Sequence, residues 1–257
     1  MIEICPLSSG SKGNSIFIKT AKSKVLIDAG ISFLSLEKKL LEIDEDIKNI
    51  DAIFITHEHF DHIAGLKVIT DRLNIPIITN SDTAKQISNI LKINPRFKVF
   101  TTQEEFEFQD LCVYPFALKH DSVDPVGFLI KNENKKLGFC TDLGFVTSSV
   151  INALKNLDFL YIEANHQISF VESCNRPLKY KERVLSKYGH LSNDDMLYLL
   201  KNVMHENLKY LFLAHISEEC NSLDLLKNLI EDFLMKEKSK TQYFLAYQKK
   251  ISKKVSF

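Results

Sequence analysis

The stretch Asp51-Ala52-Ile53-Phe54-Ile55-Thr56, followed by His57-Glu58-His59-Phe60-Asp61-His62, decides the fold class. Its first part is a short, β-branched apolar run, which predicts a buried strand. Its second part brings three imidazoles and a carboxylate onto the loop that leaves this strand. Residues two apart in an extended chain point to the same side, so His57 and His59 can share one point while Asp61 and His62 face a second. Imidazole and carboxylate are ligands of zinc, iron and manganese, so the stretch predicts a metal site.

A solvated polar loop is the alternative interpretation of residues 57–62. The density of ligand types directly after a strand argues against it. The zinc-binding helix pattern His-Glu-x-x-His does not fit either, because the residue four positions after His57 is Asp61. We expect Glu58 to point away from the metals.

Ligand-type residues also follow three other strand-like runs. These runs are residues 113–119, 136–141 and 209–214, and they end at His120, Asp142 and His215. Each ending alone is more typical of a turn, but an α/β sheet collects its chemistry at the carboxyl ends of its strands. The number of ligands suits two divalent ions, zinc or manganese, about 3.5–4 Å apart. We assign His57, His59 and His120 to one ion, Asp61, His62 and His215 to the other, and Asp142 to both.

This pattern resembles the metallo-β-lactamase superfamily. Residues 57–62 match its His-x-His-x-Asp-His signature, and the three later strand ends match its remaining motifs. Asp28 matches a position that in this superfamily is usually a buried structural residue bracing the metal loop. The resemblance implies a four-layer αββα sandwich. Because His59 stands where the flavodiiron oxidoreductases of the superfamily usually have Glu, the resemblance argues against a redox di-iron role.

A closer resemblance, to the YycJ/WalJ family, extends over nearly the whole chain. It rests on five motifs in order: Ser8-Ser9-Gly10-Ser11-Lys12-Gly13-Asn14, Thr141-Asp142-Leu143-Gly144, Glu163-Ala164-Asn165-His166, Gly189-His190-Leu191-Ser192-Asn193 and Ala214-His215-Ile216-Ser217-Glu218-Glu219. This resemblance implies a cytoplasmic bacterial hydrolase associated with 5′-to-3′ exonuclease action on double-stranded DNA. Gln167 departs from the family, which commonly has Asp there.

The metal site sets the expected mechanism. Two divalent ions lower the pKa of a shared water to around 7, so that hydroxide attacks phosphorus, and Asp61 is expected to be both ligand and catalytic residue. The leaving oxygen needs a proton or a cation, for which His190 and His166 are the catalytic candidates. Gly189 lets the backbone approach a ligand, and Ser192 begins a predicted helix whose N-terminus can hold phosphate. His166, His190 and Ser192 are therefore the predicted substrate-binding residues.

The composition favours one globular domain over residues 1–257. Apolar residues make up 45% of the chain and charged residues 26%, which are ordinary values for a protein with a packed core. The N-terminus does not resemble a signal peptide, and no apolar stretch approaches the roughly 20 residues that span a bilayer, so no membrane partner is expected. Five cysteines without a Cys-x-x-Cys pair predict reduced thiols, no disulfides and a cytoplasmic location.

The formal net charge of zero is unusual for a protein that binds nucleic acid, the partner expected here, with DNA favoured over RNA. Basic residues are nevertheless concentrated in two segments of the chain. The segment with Lys179, Lys181, Arg183 and Lys187 fits either a phosphate-binding surface or a solvated helix face. The tail lysines Lys249, Lys250, Lys253 and Lys254 are interpreted as a loose, solvated end.

Strand-like and helical patterns occur in the same order in two halves of the chain. Strands are expected at residues 2–6, 15–20, 24–28, 51–56, 77–78, 158–162, 209–214 and 242–247, with a strand-rich middle at 97–141 and a hairpin turn at 132–135. Helices are expected at 36–41, 63–73, 81–91, 177–188, 192–204 and 222–236, with Ser81-Asp82 and Ser192 as caps. The two halves fit the αββα sandwich with the metals at one edge. No spare segment is left for the inserted cap domain of RNA-processing relatives.

Three functions stay open at this point. The complete ligand set argues against a non-catalytic metal-binding protein. The motifs at 163–166 and 189–193 favour a metal-dependent phosphodiesterase acting on nucleic acid over a hydrolase of small thioesters or lactones, which the same dinuclear core also serves.

Overall fold

Two seven-stranded β-sheets and nine α-helices make up the computed structural model, which describes residues 1–257. The strands are β1 Glu3–Ser8, β2 Ser15–Lys19, β3 Lys24–Ile27, β4 Ala52–Phe54, β5 Ile77–Asn80, β6 Phe97–Phe100, β7 Phe106–Phe108, β8 Leu111–Ala117, β9 Val126–Asn132, β10 Lys135–Cys140, β11 Phe159–Glu163, β12 Tyr210–Ala214, β13 Gln242–Leu245 and β14 Val255–Ser256. The helices are α1 Phe33–Leu41, α2 Phe60–Ile63, α3 Leu66–Arg72, α4 Ser81–Leu91, α5 Ser148–Ala153, α6 Ile168–Ser173, α7 Leu178–Leu185, α8 Asn193–Val203 and α9 Leu223–Lys236.

The chain divides into two compact units. The first holds Met1–Pro115, Ser122–Val126 and Ala246–Phe257, and the second holds Phe116–Asp121 and Gly127–Leu245. No helix combines the length and the apolar character needed to cross a membrane.

The first unit contains a mixed sheet in the order β14-β1-β2-β3-β4-β5-β6. Strands β3 to β6 run parallel, with Ile27 opposite Phe54 and Phe54 opposite Ile78. Parallel neighbours end at the same edge of a sheet, so Asp28 emerges beside the chain that leaves β4. The backbone N–H of Asp28 donates to the carbonyl of Phe54 over 2.8 Å, which ties the two strand ends together.

A buried apolar cluster holds this sheet against its helices. Leu26, Ile53 and Ile77 of three neighbouring strands are fully buried and share one cluster with Leu36 of α1 and Ile69 of α3. Full burial of each such side chain contributes roughly 1.5–3 kcal/mol, so the positions of the strand ends are well determined.

The second sheet has the order β13-β12-β11-β10-β9-β8-β7. Strands β10 to β13 are parallel, with Cys140 opposite Ile162 and Ile162 opposite Leu213. This register brings the ends of β10, β11 and β12 to one edge within the second unit. Strands β9 and β10 form the predicted hairpin, because Asn132 pairs with Lys135.

Several predicted elements differ from the structure in their boundaries. The apolar stripe at residues 63–73 is two short helices, α2 and α3, separated at Gly65, where a Cβ would lie 2.4 Å from the carbonyl oxygen of Ile31. The predicted cap Ser81-Asp82 is wrong: the N-cap of α4 is Asn80, whose side chain accepts from the N–H of Thr83 over 2.9 Å. Helices α5 and α6 were not predicted, because each has six residues and buries one, too few for a period to show.

The lysine-rich tail is ordered, which corrects the interpretation of a loose end. Val255 pairs with Ile4 as strand β14 extends the first sheet, and the N–H of Ser252 donates to the carbonyl of Pro6 over 3.0 Å. The carbonyl of Gln248 accepts from Ser8 Oγ over 2.8 Å. Backbone pairing of this kind is not visible in the charge pattern from which the tail was interpreted.

Candidate metal centre

The loop after β4 holds a group of imidazole side chains in the first unit. His57 is 1% exposed and His62 is fully buried, and their ring centroids lie 4.1 Å apart. The His59 ring centroid lies 4.6 Å from that of His57. Helix α2 begins directly after its N-cap, His59, and it carries Asp61 and His62. The loop thus gathers the predicted ligands of the first unit.

Asp28 and Thr56 orient two of these imidazoles. Thr56 N–H donates to Asp28 Oδ1 over 2.9 Å, and Thr56 Oγ1 lies 2.9 Å from His57 Nδ1. His62 Nδ1 lies 2.8 Å from Asp28 Oδ2. Contacts that occupy Nδ1 direct Nε2 as the ligand atom, the arrangement in which a carboxylate supports a metal-binding histidine.

The position of Asp28 has a conformational and an electrostatic consequence. Its φ of 61° lies in the left-handed region, which Asp tolerates better than most side chains, and it is 3% exposed. Burial raises the pKa of Asp28, while the charge of His62 and the hydrogen bonds from His62 and Thr56 oppose the rise.

Asn14 holds the other side of His62. Its Nδ2 lies 3.0 Å from His62 Nε2 and 3.2 Å from Asp61 Oδ2, and its backbone N–H donates to the carbonyl of Asp61 over 2.8 Å. Gly30 makes this possible, since a Cβ there would lie 1.6 Å from the carbonyl oxygen of Asp61. The glycine therefore allows the backbone of Asp61 to approach closely.

Glu58 takes part in a different contact. Its carboxylate accepts from Ser122 Oγ over 2.8 Å and from the N–H of Val123 over 3.1 Å. Glu58 thus anchors the loop at residues 122–123 in the first unit.

In the second unit, Asp142 and His215 follow the ends of β10 and β12 with positive φ, 61° and 51° respectively. Non-glycine residues rarely adopt this conformation, which costs on the order of 1–3 kcal/mol and is concentrated at functional sites. Both side chains are buried, at 2% exposure. The left-handed turns aim two ligand-type side chains inward from neighbouring strand ends.

The imidazoles of the second unit are oriented through Nδ1. His120 Nδ1 lies 2.9 Å from the carbonyl oxygen of Gly189, and its Nε2 lies 3.9 Å from Asp142 Oδ1. His215 Nδ1 lies 3.2 Å from both Asn165 Nδ2 and Glu163 Oε1, and its Nε2 lies 3.5 Å from Asp142 Oδ1. The carboxylate of Asp142 thus lies between two Nε2 atoms.

Glu163 ends β11 and connects three segments of the second unit. Its Oε1 lies 2.8 Å from His190 Nδ1, and its Oε2 accepts from the N–H groups of Leu143 and Leu191 over 2.9 and 3.3 Å. Burial by itself raises the pKa of Glu163. The charge of His190 and hydrogen bonds from His190 and His215 outweigh burial, so the pKa is lowered to about 2 and the side chain is a carboxylate.

His190 lies between two other imidazoles. Its ring centroid is 5.2 Å from that of His120 and 5.1 Å from that of His215, and its side chain is 15% exposed. It comes from the loop that joins α7 and α8. Gly189 lets this loop fold tightly, since a Cβ there would lie 2.2 Å from the carbonyl oxygens of Arg183 and Val184.

His166 and Ser192 lie next to each other, but their side chains are in different environments. His166 is 1% exposed, and burial lowers its pKa to about 4, so the ring is neutral at pH 7. Ser192 caps α8: its Oγ accepts from the N–H of Asp195 over 3.0 Å and donates to Asp195 Oδ2 over 2.7 Å. The Ser192 hydroxyl is therefore occupied by the helix cap.

The donor set of the second unit fits a divalent cation. Asp142, Glu163, His190 and His215 each offer one ligand atom, and these atoms lie within 4.8 Å of one another. Two buried carboxylates this close are stabilised by positive charge, which histidine nitrogens and a bound cation supply. Within the first unit, His57 and His62 are each held through Nδ1.

Three further side chains contact the imidazoles of the site, although the sequence patterns predicted no such role for them. They are Asn14, Glu163 and Asn165. All three lie in the motifs shared with the YycJ/WalJ family. Glu163 is the last residue of a parallel strand, and Asp142 and His215 follow the ends of the two neighbouring strands. The strand-end position was the available signal, but a glutamate is too common there to be identified without its contacts.

Comparisons with known proteins agree with this geometry. The sequence model of the β-lactamase superfamily domain matches residues 23–216. The chain is 30% identical over 230 residues to the exodeoxyribonuclease YycJ of Bacillus anthracis, covering 89% of this chain and 87% of that one. It is 33% identical over 223 residues to the exodeoxyribonuclease WalJ of Streptococcus pneumoniae, covering 85% and 83%.

The chain belongs to the metallo-β-lactamase superfamily, within the YycJ/WalJ family. Among solved structures, the metallo-β-lactamase fold protein YhfI from Bacillus subtilis superposes with a TM-score of 0.74 at 15% identity, covering 98% of this chain and 99% of that chain. This likeness concerns the fold. The predicted fold class is confirmed, with two mixed sheets flanked by helices and no inserted cap domain. As a member of this superfamily with a clustered set of His and Asp side chains, the protein is a metal-dependent hydrolase.

Proposed function

We propose that the protein is a metal-dependent nuclease, a 5′-to-3′ exonuclease acting on double-stranded DNA. The substrate is proposed from the relationship to two proteins named exodeoxyribonucleases, which extends over more than four fifths of the chain. The observation that carries the reaction type is the contact between Glu163 and His190 beside Asp142. An imidazole held by a buried carboxylate next to a cation site suits a reaction in which a phosphate oxygen must receive a proton.

We further propose that two divalent ions, zinc or manganese, are bound. The ligands would be His57, His59, His120, Asp61, His62 and His215, with Asp142 shared. The proposal that both groups of residues serve one metal pair rests on the superfamily signature, and the orientation of His57, His62, His120 and His215 through Nδ1 supports it. Bound divalent ions supply Lewis acidity and lower the pKa of a coordinated water.

The protein's own side chains have distinct roles in this proposal. His190 donates through Nδ1 to Glu163, which leaves Nε2 for a substrate oxygen, either as proton donor or as cation. Asp61, 23% exposed in its side chain, remains a catalytic candidate beside His62. His166 is a weaker candidate, because a buried neutral ring lacks the charge that grips phosphate. We assign Ser192 the role of helix cap and not that of a direct contact to the substrate.

The test is a parallel assay of one purified preparation. Chelation should abolish cleavage of labelled duplex DNA, and added Mn²⁺ or Zn²⁺ should restore it, while thioester and lactone hydrolysis stay near background. RNA of the same sequence serves as the second substrate. Fast thioester or lactone turnover without phosphodiester cleavage would overturn the proposal.

A further inference from the structure

Two aromatic side chains are exposed on neighbouring loops of the second unit. Phe145 is 48% exposed on the loop after β10, and Tyr188 is 54% exposed on the loop between α7 and α8. Neither ring stacks on another aromatic ring of the protein. Single exposed aromatic residues are common, so exposure alone indicates nothing. The relation between the two loops is what distinguishes this pair.

The two loops are packed against each other through glycine. A Cβ on Gly144 would lie 2.5 Å from the backbone nitrogen of Gly189 and 2.6 Å from the carbonyl carbon of Lys187. Lys187 Nζ lies 5.5 Å from the centroid of the Phe145 ring, a cation–π contact across the two loops. Phe145 and Lys187 are therefore in contact, and Tyr188 follows Lys187 directly in the chain. We call these three exposed residues the aromatic platform.

Neighbouring backbone bonds hold the platform in place. The N–H of Gly144 donates to the carbonyl of Lys119 over 2.8 Å, and the N–H of Asp121 donates to the carbonyl of Tyr188 over 3.1 Å. Both bonds involve the residues that flank His120. The platform is thus attached to the same backbone that carries the metal-type cluster of this unit.

The platform lies close to the cluster along the chain. Phe145 is three residues beyond Asp142, and Tyr188 is two residues before His190. Because an extended residue spans at most about 3.6 Å, the Cα of Phe145 lies within roughly 11 Å of that of Asp142. This is about three steps of a nucleic-acid strand, at roughly 3.4 Å each.

We propose that the aromatic platform stacks nucleobases of a single-stranded end next to the scissile phosphate. This inference rests on the proposed nuclease function. Aromatic rings beside a lysine bind single strands without sequence preference, because every base has a π-face and every phosphate a negative charge. With a formal net charge of zero, the chain has little long-range attraction for DNA, and stacking offers binding that does not depend on it.

The absence of tryptophan from the chain makes a direct test possible. Phe145→Trp introduces a sole indole on the platform. With holoenzyme and a non-hydrolysable eight-nucleotide deoxythymidine oligomer, its fluorescence should be quenched in a saturable way. An abasic oligomer with the same linkages should leave it nearly unchanged. The matched control is Tyr198→Trp, at an exposed position of α8, which should respond to neither oligomer.

A binding measurement completes the test. Phe145→Ala should weaken anisotropy-detected binding of the deoxythymidine oligomer about tenfold, since stacking of one base contributes on the order of tenfold to a hundredfold in affinity. Lys187→Gln should reduce the salt dependence of binding by about one counterion and keep the preference for bases over abasic sites.

The outcomes separate the platform from the proposed function. Equal quenching by both oligomers, or binding without any quenching, overturns the platform even when wild-type protein degrades duplex DNA. Base-dependent quenching in a protein that cleaves no nucleic acid supports the platform and overturns the nuclease proposal.

Discussion

Glu163 Oε1 accepts a hydrogen bond from His190 Nδ1 over 2.8 Å, and the same oxygen lies 3.2 Å from His215 Nδ1. One fully buried carboxylate thus contacts both the proposed substrate-facing imidazole and a proposed metal ligand. Its other oxygen accepts from the N–H of Leu143, directly after Asp142. Glu163 therefore holds three strand and loop ends in position, and its carboxylate is also one of the four groups whose ligand atoms lie within 4.8 Å of one another.

Replacing Glu163 tests this positioning role. Glu163→Gln keeps the shape of the side chain and removes its charge, so we expect metal affinity and phosphodiesterase activity each to fall about ten- to a hundredfold. Elemental analysis measures the metal content and kcat measures the activity. Glu172→Gln, at an exposed position, is the control. Full metal content with an unchanged kcat would mean that Glu163 only holds the backbone.

Asp142 provides the test of metal number. Wild-type protein should contain close to two transition-metal equivalents, and Asp142→Asn should lower the occupancy of both sites, because one carboxylate is proposed to bridge them. Asn is preferred to Ala because it tolerates the φ of 61° at this position. His57→Ala should empty mainly one site. Two tightly held ions in the Asp142 variant would contradict the bridging assignment.

The sequence predicted those parts of the site that follow a simple pattern. Asp142 and His215 end short apolar runs, and the register of β10, β11 and β12 places these ends at one edge. Glu163 ends β11 in the same way, but a glutamate after a strand is too common to be recognised without its contacts. The role of Ser192 as a helix cap was predicted from the residues that follow it and is confirmed. The approach of Asn14 to His62 was not predicted, because it depends on backbone geometry that residue types do not encode locally.

The stability of the first unit should depend on Glu45. This side chain is 6% exposed and binds Lys19 Nζ and Lys24 Nζ over 2.7 and 2.8 Å. Burial by itself raises the pKa of Glu45, but the hydrogen bonds from both lysines outweigh it, so the pKa lies below its ordinary value of 4.5. Glu45 therefore contributes stability that is fully present above pH 4.5 and is lost as the pH falls below it.

Glu45→Gln should accordingly lower the free energy of unfolding by about 1 kcal/mol at pH 7, since both lysines are about one third exposed and their ion pairs are partly screened. The difference from wild type should shrink as the pH falls below 4.5. Urea unfolding at several pH values measures it, with Glu104→Gln at an exposed position as control. A difference that stays constant down to acid pH would show that packing, and not charge, is what the mutation removes.

His190 separates chemistry from metal binding. Its Nδ1 is held by Glu163, and it comes from a helix–helix loop, whereas the predicted ligands lie at strand ends. Loss of a charge-assisted hydrogen bond to the scissile group should cost about 1.5–3 kcal/mol, or roughly ten- to a hundredfold in rate. His190→Ala should keep its full metal content, lose nuclease activity by that factor, and lose less on a small activated phosphodiester.

Two controls make this last prediction decisive. His205→Gln alters a histidine outside the cluster, whose Nε2 lies 2.8 Å from the carbonyl oxygen of Leu157, and should change nuclease activity little. Elemental analysis of the His190 variant is the second control. If the variant is metal-depleted, His190 is a ligand, as its distance of 3.6 Å from Nδ1 to Asp142 Oδ1 would also permit. If nuclease activity is unchanged, the loop only supports α8, because a residue that touches the scissile group cannot be removed without slowing its cleavage.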